Sequence, residues 1–339
     1  MIRPAWQRRL ILAGKTGLAG GLLAWLVLSG RLGFARFATI RPSMDLGVLM
    51  ALTFGAMLLP IVRWWWLLRV QGLHEPMWRV LVLSWVSSFF GLLLPGGASS
   101  DMAKTYLIVR RCPRARARAF STVLADRFLG LYSILFLACL AVAWLLFFRG
   151  ETARGIQVMA TGILAIFLGM TGMAGCLVFV PTRRVFLRVV PRKWRAAWKE
   201  SFELYCHGRQ HLAGCFLIST ASSAMTFMSF TVAGRMMGEF VSWSASFIAG
   251  PLVILANCLP ITPGGIGTAE AFSSELFTEF GSSHGAEIMI LVRIANALLI
   301  LPGVVGLCGH LSRREDDAFA RTATPPAKSE PTVSCESAP

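Results

Sequence analysis

Apolar runs of about 18 to 25 residues recur from Leu10 to Gly309, each long enough to cross about 30 Å of hydrocarbon as a helix. Lipid offers backbone N–H and C=O groups no hydrogen bonds, so a chain threaded through it by uninterrupted apolar runs must satisfy them within helices. Composition agrees: 55% of residues are apolar and 15% charged, and mean hydropathy is +0.63, far from a water-soluble domain with about 25% charge. The expected fold class is an all-α polytopic membrane protein.

Net charge is +16, and Lys and Arg near span ends are retained on the cytoplasmic side. The basic residues lie in short loops between apolar runs, which argues against a nucleic-acid face and for contact with anionic headgroups. Arg3, Arg8, Arg9 and Lys15 precede the first run, but Gly30, Arg31 and Leu32 supply no small-residue cleavage site, so Leu10 to Gly30 reads as an uncleaved span. Asp45 to Leu68 follows, with Trp64, Trp65 and Trp66 reading as an interfacial belt. The third run, Val80 to Leu94, stops at Pro95-Gly96-Gly97, which a helix cannot continue through. A full crossing there would deliver Lys104, Arg110, Arg111, Arg114, Arg116 and Arg118 to the outer face. A re-entrant hairpin, breaking at Pro95 to Ser100 and returning as a helix of about 12 residues, keeps them inside.

Phe120 to Phe148, Val158 to Val180 and Leu212 to Gly234 are further spans, with the basic stretch Arg183 to Arg209 lying along the inner surface. Ala245 to Leu259 runs into Pro260-Ile-Thr-Pro263-Gly264-Gly265-Ile-Gly267, a second break, followed by a short helix from Thr268 to Phe280 and a last span, Ile288 to Cys308. The result is about eight membrane segments, six spans plus two re-entrant helical hairpins, over residues 1–311, with a disordered cytoplasmic tail over 312–339. With both termini in the cytoplasm, 24 of the 33 Lys and Arg lie inside and 6 outside.

The two halves, about 10–148 and 158–309, repeat one plan. Gly96-Gly97 and Gly264-Gly265 are 168 residues apart, and Arg127 and Arg293 are 166 apart. One half starts inside and the other outside, the inverted repeat of many secondary transporters.

A helix that begins at the midplane presents unpaired N–H groups and the positive end of its dipole, a natural seat for a lipid phosphate. Ser99 and Ser100 begin one such helix and Thr268 the other, with hydroxyls suited to cap it or donate to a ligand. Gly264, Gly265 and Gly267 allow backbone to approach a headgroup with no Cβ in the way. Arg63, Asp126, Arg127, Glu270 and Arg293 fall within apolar runs, where each ionised group costs about 2.5 to 3.5 kcal/mol. With Asp101 and Lys104 they are either counter-charges for a headgroup or partners of one another that hold the halves together. Asp126 and Arg127 point about 100° apart on a helix and need separate partners. Glu275, Glu279 and Glu287 sit near the outer end and read as solvated.

No catalytic motif is recognisable: there is no Gly-x-Ser-x-Gly elbow, no His-Glu-x-x-His, no P-loop and no dinucleotide fingerprint. Cys206, His207, His211 and Cys215 have metal-compatible spacing, but in an Arg-flanked stretch at the membrane boundary they read as packing and interfacial residues. No cofactor or metal is expected.

These motifs resemble the transmembrane, flippase-like region of the lysylphosphatidylglycerol synthase family. The likeness spans the first run to Gly309 and rests on Leu94-Pro95-Gly96-Gly97 leading to Asp101 and Lys104, on Asp126-Arg127, on the Leu259 to Gly267 break with Glu270, and on Arg293. Synthases of that family carry a cytoplasmic aminoacyl-transferring domain after the membrane part, and this chain is expected not to make lysylphosphatidylglycerol. The resemblance implies translocation of an anionic or phosphate-bearing lipid across a bacterial inner membrane, around a site formed by the residues named above. Ser99-Ser100-Asp101 stands where the family pattern has Gly-Gly-Asp, and Lys104 where Arg is usual. Lys meets phosphate as a point charge instead of a fork, so headgroup preference differs. Two other expectations stay open: a non-transporting scaffold that partners a lipid-modifying enzyme or glycosyltransferase, and an intramembrane enzyme using Asp101 or Glu270.

Overall fold

In the computed structural model, residues 44–93, 99–112, 115–149, 154–178, 203–205, 209–258, 262 and 265–301 are described. The expected first span, the breaks at Pro95 to Gly97 and at Pro260, Pro263 and Gly264, most of the basic stretch from Arg183, and the tail lie outside them.

Helix α1 (Met44–Val70) has 27 residues, a rise of roughly 40 Å that exceeds the hydrocarbon thickness. Helix α2 (Met77–Leu93) has 17 and α3 (Ser99–Arg111) has 13, and neither spans that distance with room to spare. Then come α4 (Arg116–Arg149), α5 (Arg154–Val178) and α6 (Arg209–Met236), all of membrane length and apolar. A second short pair follows, α7 (Trp243–Cys258) and α8 (Thr268–Thr278), and then α9 (Gly285–Ile300). Among the described residues α1, α4, α5 and α6 are long and apolar enough to cross a membrane. Large side chains on the outside stay apolar, as with Phe147, Phe148, Val158 and Leu168. A lipid solvent explains this surface.

Lipid gives apolar helices no hydrophobic reason to associate, so packing rests on close backbone approach and on polar contacts. The most extensive contact, between α1 and α6, shows both. A Cβ on Gly55 would lie 2.7 Å from Met225 Sδ, and one on Gly214 would lie 2.7 Å from the Trp66 ring. Pro60, inside α1, has no N–H for the carbonyl of Ala56. Ser222 of α6 donates to that carbonyl instead, at 3.0 Å.

The helix adjacencies map onto themselves when α1 is exchanged with α6, α2 with α7, α3 with α8 and α4 with α9. Thus α2 meets α3 as α7 meets α8, α3 meets α4 as α8 meets α9, α4 meets α6 as α9 meets α1, and α4 meets α7 as α9 meets α2. Apart from the contacts of α5, these two sets of four helices share one packing plan. Within the first set, Ile61, Trp64, Leu68, Val80, Leu83 and Ile108 form one core; within the second, Phe227, Phe230, Ala249, Val253, Phe277 and Ile288 belong to another. Ile61, Trp64 and Leu68 share one helix face by their spacing. That register buries Trp64 completely and corrects its reading as an interfacial residue.

Candidate functional site

Ser100, Asp101 and Lys104 fall within the first turns of α3 at spacings that put them on neighbouring rows of its surface. There they meet α4, and each of the two adjacent ionisable residues on α4 takes its own partner. Arg127 pairs with Asp101 through Nε and donates from Nη2 to Ser100 Oγ at 3.3 Å. Asp126 faces inward. Its Oδ1 accepts from Arg63 Nε of α1 at 2.7 Å, and its Oδ2 accepts from Lys104 Nζ at 3.0 Å. Arg63 Nη1 also donates to Ser219 of α6, so one guanidinium ties α1 to α4 and α6. Gly130 packs beside it, where even a Cβ would stand at an ordinary contact distance of 3.5 Å from the Arg63 nitrogens.

Two cations on one buried carboxylate leave a positive surplus. Part of it is met by the Trp64 ring, whose centroid lies 4.0 Å from Lys104 Nζ, a face-on approach that the ring quadrupole favours. Thr122 Oγ1 fixes the indole by accepting from its Nε1 at 3.2 Å. Trp64 is thus a site residue that the sequence reading missed; the 61, 64, 68 periodicity is the signal that separates it from Trp65 and Trp66.

These groups line a cavity of about 250 Å³ between α1, α2, α3, α4 and α7. Arg63, Ser100, Asp101, Lys104, Asp126 and Arg127 are on its wall, joined by Ser84, Ser87 and Ser88 of α2 and by apolar Met57, Leu131 and Ile254. Three cations face two carboxylates. The Arg127–Asp101 pair is the accessible end of the cavity wall, its side chains 42% and 23% exposed against 7% for Arg63 and 8% for Asp126. Ser99 does not join it. Its hydroxyl donates to the Gly91 carbonyl at 3.4 Å.

The remaining candidates form a second cluster that is absent from the cavity wall. Glu270 is buried, accepts from the Gly267 N–H at 2.7 Å and pairs with Arg293 Nε at 2.8 Å. Arg293 Nη2 donates to Asn257 Oδ1 at 3.2 Å and to the Gly265 carbonyl at 3.4 Å. Thr268 Oγ1 donates to that same carbonyl at 3.0 Å and makes no cap on α8. The positive end of α8 already has an anion in its own Glu270 carboxylate, which answers the orphan donors of a helix start. Gly264 lies outside the described residues. Gly265 and Gly267 have φ of +70° and +85°, where only glycine is comfortable. A Cβ on Gly265 would stand 2.2 Å from Asn257 Oδ1, so this glycine serves close packing. Gly265→Ala is expected to lower membrane abundance and any activity in parallel, because it displaces the Asn257 side chain that Arg293 holds; immunoblotting beside an activity assay checks this.

Glu287 also departs from the sequence reading. It is 1% exposed and approaches His284 Nδ1 at 3.4 Å, while His284 Nε2 lies 3.2 Å from Glu239, so the α6–α7 link is fastened to the start of α9. Glu275 and Glu279 are exposed as expected. Cys206 and His207 lie outside the described residues, among which no cluster of metal-binding side chains occurs.

Membrane-length apolar helices, a duplicated packing plan and an ion-paired cavity among the helices define a multi-pass integral membrane protein with a charged interior site. The chain belongs to the lysylphosphatidylglycerol synthase transmembrane-region family, whose profile matches residues 11–306. No curated protein and no solved structure matches the chain.

Proposed function

We propose that this protein moves a lipid with an anionic, phosphate-bearing headgroup across the bacterial inner membrane, by alternating access around two re-entrant hairpins, α2–α3 and α7–α8, related as an inverted repeat. The carrying observation is the cavity, with three cations against two carboxylates and Arg127 at its accessible end. A phosphate entering there is met by N–H donors that Arg127 and Lys104 have not spent on Asp101 and Asp126. The carboxylates keep their cations, and the phosphate adds charge-assisted hydrogen bonds without leaving an unpaired charge in lipid. Family membership supports lipid handling, and the membrane part of such synthases is not the catalytic part, which supports a role other than catalysis. By the positive-inside rule both termini face the cytoplasm.

The second reading, a scaffold that partners a lipid-modifying enzyme or glycosyltransferase without transporting, draws on one fact: Arg63, Lys104, Arg127 and Arg293 each have a carboxylate partner within the protein. Proteoliposomes loaded with fluorescent phosphatidylglycerol separate the two. Transport predicts that reagent-accessible label exchanges between leaflets faster than in empty liposomes, and the scaffold predicts equal rates.

Topology is tested with single cysteines in an otherwise cysteine-free background. Native Cys112, between α3 and α4, should label only from the cytoplasmic side, and Phe240→Cys, at a position 91% exposed, only from outside. Burial, and behind it the neighbouring Glu75 carboxylate, pushes the Cys112 thiol above its ordinary pKa. The thiolate is the reactive form, so its alkylation should keep accelerating at pH values where a free thiol has levelled off. Labelling of Cys112 from outside would remove the first hairpin.

A further inference from the structure

We propose that the α2 wall of the cavity is a hydroxyl-binding subsite, and that the favoured headgroup is a phosphodiester bearing a hydroxylated group, glycerol-like or sugar-like, in preference to an aminated one. The inference rests on the anionic-lipid reading above and narrows it. Ser84 carries it: the residue is 7% exposed, it lines the cavity, and its Oγ is buried with no hydrogen-bond partner among the described residues. Buried hydroxyls are almost always bonded. Helical serines ordinarily settle by donating to the carbonyl one turn back, as Ser87 does to Leu83 at 2.6 Å; Ser84 does not. A hydroxyl kept buried and unanswered on the wall of a charged cavity points to a polar ligand atom.

Spacing and charge give the ligand's chemistry. Ser84, Ser87 and Ser88 stand at i, i+3 and i+4, on one face of α2. Ser87 keeps its lone pairs for an incoming donor after spending its own proton. Ser100, which accepts from Arg127, keeps its proton for an incoming acceptor. Both carboxylates of the wall are committed to cations, and the wall's net charge of one positive unit is cancelled by one phosphodiester. A headgroup amine would bring a second cation to a place with no carboxylate left for it. A hydroxylated group brings donors and acceptors without charge.

The test uses the full chain in detergent, titrated with phosphatidylglycerol, phosphatidic acid, phosphatidylethanolamine and phosphatidylcholine of matched acyl chains, read by native mass spectrometry. Wild type is expected to bind phosphatidylglycerol about fivefold to tenfold more tightly than phosphatidic acid, the range one or two added neutral hydrogen bonds supply, and phosphatidylethanolamine more weakly than either. Ser84→Ala should bring phosphatidylglycerol and phosphatidic acid within about twofold of each other, and should slightly raise the melting temperature of the lipid-free protein by removing an unanswered polar group. Equal binding of the two anionic lipids by wild type, a preference that survives in Ser84→Ala, or a fall in melting temperature in that variant would each overturn the subsite. If the two anionic lipids bind alike, yet better than phosphatidylcholine, the hydroxyl subsite fails while the anionic reading stands. If neither exceeds phosphatidylcholine, both fail. Glycerol 1-phosphate competing at the same concentrations as the lipid would overturn the lipid as the source of the headgroup.

Discussion

Asp126→Asn is expected to destabilise the protein more than any other single change at the site, by about 3 to 5 kcal/mol, the range for removing one partner of a buried ion pair. The carboxylate is the shared acceptor of Arg63 and Lys104, and all three side chains are at most 12% exposed. An amide leaves two cations facing one neutral oxygen in surroundings that cannot solvate them. The readout is membrane abundance together with the melting temperature in detergent. The triple change Arg63→Met, Lys104→Met, Asp126→Leu removes the charges as a set and should recover much of that stability, since apolar side chains of similar size replace buried ion pairs at little cost. It should not recover transport. Normal abundance and melting temperature in Asp126→Asn would show that the carboxylate is not the acceptor on which both cations depend.

The two quasi-equivalent arginines should part company. Arg127→Ala strands Asp101, whose side chain is 23% exposed and borders the cavity, whereas Arg293→Ala strands Glu270, whose side chain is 1% exposed. Water reaches the first carboxylate and not the second. Arg127→Ala is therefore expected to reach the membrane at near wild-type level and to lose lipid movement by about 100-fold, a loss of about 2.7 kcal/mol consistent with a charge-assisted contact to phosphate. Arg293→Ala should fall in abundance first, and Arg293→Ala with Glu270→Gln should restore part of the level. Comparable abundance for both single variants would mean that the second cluster is not a structural fastening.

The short helices that flank the first Pro-Gly-Gly stretch are legible because proline and glycine act locally. Val80 to Leu94 was expected and Met77–Leu93 is found; a return helix of about 12 residues was expected and Ser99–Arg111 is found. The separate partners of Asp126 and Arg127 followed from helical geometry alone. What stayed hidden was azimuth. In a soluble helix the polar stripe reports which face is buried, but α1, α4 and α7 carry no such stripe, and lipid-facing and protein-facing residues then look alike. Hence Trp64 read as interfacial and Glu287 as solvated, although both are buried. At Thr268 the sequence leaves a cap and a ligand contact both open: a carboxylate three residues into the helix takes the Gly267 N–H, and a hydroxyl at the helix start looks the same whether or not that happens.

Among the extensive helix contacts of the described residues, α1–α6 is the pair that exchanging α1–α4 with α6–α9 returns to itself. Each partner carries a glycine against a bulky side chain of the other, and Ser222 answers the carbonyl that Pro60 leaves open. A pivot of one half as a rigid body against the other would have to slide these glycine seats past Met225 and Trp66 and leave the Ala56 carbonyl bare in lipid. Motion confined to the short helices costs neither. This favours, for the alternating access proposed above, movement of the short helices about a fixed α1–α6 spine over two rocking halves.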